Sequence, residues 1–530
     1  MQLNDWVGEL EEFRLAQKLP SLELLIHSGG DEIVHCSNGY FDIHEKRLLQ
    51  NNSIFNVASI TKILTILAIY KLENDNVLGL DQKIFDHISY LLPSVVDDRL
   101  KEVTYEQLIF HESGLGFGLP VYEDGAIMLD LILENPLLQH PGTGFKYSNL
   151  GFLLLGFAIE QLTGQRYASY IREHFLQPLE MIDSGFSSES YHIKKNCPSA
   201  YQAKDVFRDV KNLEDFRKCD EFRMADPSSG LYTTSKDLLK LMRFLQGVES
   251  TSVMQEIQGL PIQEVLFRKN ECRKYMRVLY GPGFFQTKSA GHYVAFVSGF
   301  SIGYSSLVCM IPELDITLIA MTNQSYAQSQ LTVLGMGLIY SYLTRNIWQI
   351  KQINKRVYQM PEGYQFYYAQ DKKLQLLIWT GNSAGVYLYH EGKSIKLEFI
   401  DHDLAINEDL LMMFFLDISQ NRIQSIHFNG TQYLSDTTTQ GGNYDDLYPH
   451  LTGVYENSFF GKIWIQAKNN AVYCIQGNQR AELIPENGQR FRMKGSLFFD
   501  LEFLTFSNFK HDEKPYTVRF SGLDFSRITR

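Results

Sequence analysis

The segment from Ser59 to Glu73 is apolar on nearly every side of a helical turn, and a helix without a polar face cannot lie on a surface. It has to run through the middle of a domain, covered on every flank, until Asn74-Asp75-Asn76 stops it. A second segment of the same kind, Asn149 to Leu162, stops at Thr163-Gly164, with Gly164 expected as the left-handed residue after the helix. A third helix is expected to start at the cap Ser235 and to stop near Gly247. Apolar β runs at Tyr304 to Ile311 and Ile316 to Met321 accompany them. Buried helices beside such strands predict an α/β or α+β domain of catalytic size.

Several function classes fall away on composition. Lys plus Arg number 49 and Asp plus Glu 61, a formal net charge of -12. Without a local basic patch, so acidic a chain repels a phosphate backbone, and nucleic acid is excluded as a partner. The cysteines Cys36, Cys197, Cys219, Cys272, Cys309 and Cys474 form no C-x-x-C pair and no cluster at ligand spacing, so neither a metal site nor a redox site is expected. Nothing calls for an organic cofactor. The longest apolar runs, Ile63 to Ile69 and Leu150 to Ile159, fall short of the roughly 18 residues of a membrane span. The first residues turn acidic at Glu9, Glu11 and Glu12, where a signal peptide needs a basic start. The expectation is a cytoplasmic protein, although a mature chain with its leader removed would read the same.

A change of texture lies between Arg345 and Pro361. Before it, helices mix with short β runs; after it, alternating strands are broken by Asn, Gly and Asp turns. The expected organisation is a catalytic-sized domain over residues 1–350, then an all-β, barrel-like region in two modules, 356–440 and 447–530. A weak internal likeness supports two modules, since Ile426-His427-Phe428-Asn429-Gly430 is echoed by Val518-Arg519-Phe520-Ser521-Gly522. One larger barrel is the competing reading.

Ser59-Ile60-Thr61-Lys62 opens the first buried helix, and the i, i+3 spacing sets a hydroxyl and an amine on one face. The S-x-x-K pattern is weak alone, since roughly two chance matches are expected in a chain this long; Ser507 and Lys510 form another. Ser507 follows a strand in the tail, whereas Ser59 begins a helix whose first N–H groups could hold an oxyanion. The bland alternative is that Ser59 is an ordinary helix cap. Tyr147-Ser148-Asn149 precedes the second buried helix, but Tyr455-Glu456-Asn457 has the same form without a role. A phenol and an amine both titrate near pH 10, so each serves as a base only where its site lowers that value. A buried Lys62 beside Tyr147 is expected to do so.

These segments resemble the β-lactamase-related serine hydrolases, the group of class C β-lactamases, D,D-peptidases, D-aminopeptidases and Ser-Lys-Tyr esterases. The resemblance covers about residues 20–345 and runs in family order through Phe55 to Lys62, Leu78-Gly79-Leu80-Asp81, Leu108 to Leu115, Pro141 to Gly151, Gln177 to Met181 and Ser229 to Thr234. It implies the β-lactamase/transpeptidase-like fold, with Ser59 as the acylated nucleophile, Lys62 as its base, Tyr147 as the proton shuttle and Asn149 orienting substrate. The tail resembles the C-terminal barrels of D-aminopeptidases, modules that can shape the mouth of the active site. The family's third motif, K-T-G or H-x-G, lands on Val297-Ser298-Gly299, where Val297 replaces the cation or histidine. The resemblance puts the oxyanion hole at the backbone N–H groups of Ser59 and Phe300. His292, five positions upstream of Val297, is a candidate to compensate, but a surface histidine is the expectation.

Two rivals need weighing. Gly299-Phe300-Ser301-Ile302-Gly303 matches the G-x-S-x-G elbow of α/β-hydrolases, which requires a helix after it. Another β run follows, so a hairpin with Ser301 at its tip is expected. His111, in a buried H-x-S-G-L loop, is expected to be a hydrogen-bonded structural histidine. The resemblance thus implies a serine hydrolase or acyltransferase acting on a small-molecule or peptide-like ester, thioester or amide, with weak or no β-lactamase activity and oligomers possible. From a different class comes a binding or scaffolding protein on the same fold, its catalysis lost with the third-motif cation.

Overall fold

The computed structural model describes residues 3–344 apart from several short stretches, the longest of them 123–131, 187–195 and 204–211, and beyond residue 362 it describes the backbone of sixteen strands. The main sheet has nine strands in the order Arg273–Tyr275, Val278–Gly281, Phe284–Ser289, His292–Ser301, Tyr304–Ile311, Ile316–Thr322, Ser21–Ser28, Asp31–Asp42 and Arg47–Leu48. Every neighbouring pair is antiparallel. Ser21–Ser28 joins the first strands to the last by pairing with Ile316–Thr322 in the register Leu25 opposite Ile319. The fold therefore closes only when chain segments almost 300 residues apart meet.

Tyr304–Ile311 and Ile316–Thr322 are buried along their whole lengths, as continuous apolar strands are when both faces of a sheet are covered. On one face, Leu24, Val294, Phe296, Leu307 and Leu318 pack with Phe13 of the N-terminal helix Leu3–Ala16 and Leu334 of the helix Gln328–Thr344. On the other, Leu25, Val297, Val308 and Ile319 join the larger cluster around the helix Lys62–Asn74. In that helix Lys62 and the eight residues from Ile63 to Tyr70 are all buried, which is where a helix apolar on every side has to be. Each large aliphatic there contributes about 1.5–3 kcal/mol of burial, and truncating Leu67 to alanine would cost about 2–5 kcal/mol. The second buried helix, Asn149–Thr163, packs alongside. Gly164 ends it at φ 68°, a conformation glycine adopts without steric cost.

Two expected helix starts are corrected. The central α-helix begins at Lys62, and Ser59 lies before it in a tight 3₁₀ turn, Ala58–Thr61. The third helix, Ser235–Leu245, is capped by Thr234, whose hydroxyl accepts the N–H of Asp237. Ser235 cannot cap because its hydroxyl donates to the buried Glu23 carboxylate. Gly299 to Gly303 forms the end of a hairpin, with Ser301 paired opposite Tyr304 and no helix after it, so the elbow geometry is absent.

The boundary expected near residues 350–356 lies outside the described residues, as does Lys510. Past it, Gly363–Ala369 pairs with both Gln375–Gly381 and Thr431–Ser435, closing eight strands on themselves. The eight strands from Gly453–Asn457 to Leu523–Arg527 close in the same way.

Candidate active site

The turn that carries Ser59 is held by side chains of its own sequence. Asn56, 1% exposed, donates from Nδ2 to the carbonyls of Ser229 and Leu231 and accepts the Ala58 N–H on Oδ1. The Thr61 hydroxyl accepts the Leu231 N–H. Between these pins Ala58 sits at φ 46°, a left-handed conformation that costs a residue with a Cβ about 1–2 kcal/mol. The strain survives because both sides are fixed, and the turn leaves Ser59 partly open to solvent.

The Lys62 amine, on a residue 2% exposed, has three neighbours. It donates to Asn149 Oδ1 at 2.7 Å and to the Ser228 carbonyl at 2.9 Å, and lies 3.1 Å from Ser59 Oγ. Burial holds its pKa well below the usual lysine range, because removing the ammonium from water disfavours the charged form. A neutral amine has two N–H bonds, and the two carbonyl oxygens take both. Its lone pair then faces Ser59 Oγ, and after proton uptake the third N–H points there instead.

Tyr147 shares a hydrogen bond with Ser59, and Lys62 Nζ stands 5.0 Å from the centre of its ring. Here the expectation from sequence is overturned. Desolvation pushes the Tyr147 pKa up, and the Ser59 hydrogen bond offsets only part of that rise. A neutral lysine supplies no cation to stabilise a phenolate, so Tyr147 is a phenol that can give and relay a proton. Asn149, which the resemblance has orienting substrate, holds the Lys62 amine in this structure. It is 1% exposed, with Oδ1 on Lys62 and Nδ2 donating to the Gly118 carbonyl at 2.7 Å.

The strand His292–Ser301 runs beside the Ser59 turn. A Cβ on Gly299 would stand 2.2 Å from the Val57 carbonyl oxygen and 3.1 Å from the Ser59 nitrogen, so only glycine lets the strand approach so closely. Val297, two residues back on the same face, is 6% exposed within the apolar cluster of the central helix. Ser298 and Phe300, both partly exposed, alternate to the opposite face, so Phe300 brings its backbone rather than its ring to the Ser59 side. His292 is an odd number of residues from Val297, and its Nδ1 pairs with Glu313 at 2.5 Å. It does not replace the missing cation.

The sequence singled out Ser59, Lys62, Tyr147, Asn149 and the 297–300 strand, and the structure draws them together. It missed the Ser228 carbonyl, a backbone acceptor with no side-chain signature. It also undervalued Asn56, whose only signal was its place three residues before the serine of the S-x-x-K pattern.

Residues 4–334 match the family model described as Beta-lactamase. Protein flp of Staphylococcus aureus (strain MW2) is 24% identical over 315 residues, covering 58% of this chain and 60% of that protein. The chain thus spans about three-fifths of the length of this relative. Among solved structures, the octameric penicillin-binding protein homologue from Pyrococcus abyssi superposes with a TM-score of 0.56 at 20% identity, covering 91% of this chain and 99% of that one. The D-amino acid amidase from Ochrobactrum anthropi SV3 does so with a TM-score of 0.51 at 19% identity, covering 61% and 92%. At these identities the two structures speak for the fold.

Proposed function

Since this chain belongs to the beta-lactamase family, whose model spans residues 4–334, we propose that it is a serine hydrolase or acyltransferase working through an acyl-enzyme on Ser59. The observation that carries the reading is the Lys62 amine, with two of its positions committed to Asn149 and Ser228 and the third facing Ser59 Oγ at 3.1 Å. A base aimed at a nucleophile before substrate arrives is what acyl transfer from a hydroxyl requires.

The steps follow from this geometry. Ser59 Oγ bonds to the carbonyl carbon while its proton passes to Lys62 Nζ, and the backbone N–H groups of Ser59 and Phe300 receive the oxyanion. The intermediate collapses as the bond to the leaving group breaks. Tyr147 delivers a proton to that group and is reprotonated by the Lys62 ammonium, which returns to the neutral amine. Water then attacks the ester on Ser59 and gives a proton to the Lys62 amine; the bond from carbon to Ser59 Oγ breaks, Oγ takes that proton back, and the acid product leaves. An amine or alcohol in place of water gives acyl transfer.

Substrates are small-molecule or peptide-like esters, thioesters or amides without a free carboxylate, because Val297 offers no cation where the family has one. The D-amino acid amidase neighbour supports an amide among them. We read residues 1–350 as the catalytic unit and the two rings of eight strands as barrel modules, and the octameric neighbour supports assembly of several copies.

Intact mass after incubation with a fluorophosphonate, and with p-nitrophenyl esters and D-amino acid amides, tests the reading. One adduct per chain is expected on Ser59, absent in Ser59→Ala, whose melting temperature stays near wild type because a partly exposed hydroxyl contributes little to packing. No adduct on the wild type, or one that survives the substitution, would sink it and leave the scaffold reading standing.

A further inference from the structure

His111 holds Tyr147 from three directions. Its carbonyl accepts the N–H of Lys146 at 2.6 Å, and its Nδ1 accepts the N–H of Ser148 at 3.1 Å. Its ring lies against the Tyr147 ring, centroids 4.2 Å apart at 30°. The residues on both sides of the tyrosine and the tyrosine ring itself are therefore fixed by one residue. His111 does this at φ 56°, in a left-handed conformation that is uncommon for histidine.

The tautomer follows from the hydrogen bond. Nδ1 accepts, so the proton sits on Nε2, and that atom is buried without a hydrogen-bond partner among the described residues. Phe145, Phe152 and Tyr280 stand around the ring at 5.5, 5.2 and 5.3 Å. Were packing the whole task, phenylalanine would fill this aromatic nest without leaving a buried N–H unpaired, a defect that destabilises the fold. The imidazole is retained at that cost, and what it adds over phenylalanine is the acceptor for Ser148.

We propose that His111 is the positioning residue for Tyr147, its Nδ1 acceptor and ring stack together aiming the phenol at Ser59 and the leaving group. The inference rests on the reading of Ser59, Lys62 and Tyr147 given above. Burial and the nearby Lys62 both oppose protonation of His111, so the acceptor persists wherever Lys62 serves as a base.

The test separates aiming from mere support. His111→Asn keeps an acceptor near the Nδ1 position and tolerates the left-handed backbone; His111→Phe keeps the ring and loses the acceptor. Each full-length variant is assayed on an ethyl ester and a p-nitrophenyl ester of one acid, reading kcat/KM for acylation. Ethoxide needs a proton to leave and p-nitrophenolate does not. In His111→Phe the ethyl to p-nitrophenyl ratio should fall about 10- to 100-fold, as in Tyr147→Phe, and His111→Asn should restore most of it. A ratio unchanged in His111→Phe, or no better in His111→Asn, overturns the inference. If the phenylalanine variant does not fold, His111→Gly, which takes the same φ freely, stands in for it. Failure of the fluorophosphonate to label wild-type Ser59 would instead remove the parent reading.

Discussion

Asn149 Oδ1 accepts a hydrogen bond from Lys62 Nζ at 2.7 Å, so the first residue of one buried helix holds the base at the start of another. Both side chains are almost fully covered. The amide is neutral, and that neutrality lets burial keep the Lys62 pKa below its ordinary range. Asn149→Asp places a carboxylate at the same distance and favours the ammonium. The acid limb of the acylation pH profile should therefore move to higher pH, with loss of activity at pH 7 and partial recovery in alkaline buffer. An unmoved limb means that Lys62 is not the group whose deprotonation starts acylation.

The same titration appears in stability. With the folded pKa of Lys62 depressed and an unfolded lysine near 10.4, the unfolded chain binds one more proton between those two values. Stability rises with pH across that window and levels off above it. Lys62→Met removes the term. Its melting temperature relative to wild type should be most favourable at low pH and should decline as pH approaches about 10, whatever the fixed cost of leaving the Asn149 and Ser228 carbonyls without a donor. Equal pH slopes for both proteins would refute a depressed Lys62.

How far the sequence could be read depended on where the information lay. The two helices apolar on all sides announced their burial, and S-x-x-K and Y-x-N announced the side chains that meet. The start of the central helix was misplaced because Ala58 at φ 46° and the 3₁₀ turn answer to Asn56, whose partners lie some 170 residues away. The cap of Ser235–Leu245 slipped by one because Glu23, on a distant strand, claims the Ser235 hydroxyl. Tyr147 was expected to be acidified by a lysine charge. That charge is suppressed by the same burial that raises the phenol, a balance spacing cannot reveal.

Gly299 gives a steric test of the oxyanion site. A Cβ there meets the Val57 carbonyl at 2.2 Å and the Ser59 nitrogen at 3.1 Å, and neither is the end of a flexible side chain. Gly299→Ala must push the strand and the Ser59 turn apart. A displacement near 1 Å at the reacting atoms costs about 100-fold in rate, so kcat/KM should fall by about that factor while fluorophosphonate labelling slows in parallel. Gly291, with nothing within 4 Å of a Cβ, is the control in the turn just before the same strand: its φ of 88° makes alanine there strained, so stability drops while the ratio of labelling rate to folded protein stays at wild type. If Gly299→Ala labels at the wild-type rate, the 297–300 strand does not shape the oxyanion site.

Val297 sets the charge of the substrate. Its side chain is 6% exposed in the cluster of the central helix, and His292 is turned away to Glu313. A carboxylate brought to this strand would lose water without gaining a partner from Val297, at a cost of several kcal/mol. The comparison that isolates this effect is benzylpenicillin against its methyl ester, which share the reactive amide and differ by one charge. Acylation of Ser59, followed by intact mass, should be faster for the methyl ester by at least about 10-fold, the equivalent of about 1.4 kcal/mol. Simple neutral esters should exceed both. Installing the family's cation is a poor converse, because Val297→Lys buries an ammonium in an apolar cluster and should lower the melting temperature before it improves recognition. Faster acylation by benzylpenicillin than by its methyl ester would show that a cation from elsewhere in the chain reaches this position, and the neutral-substrate reading would fall.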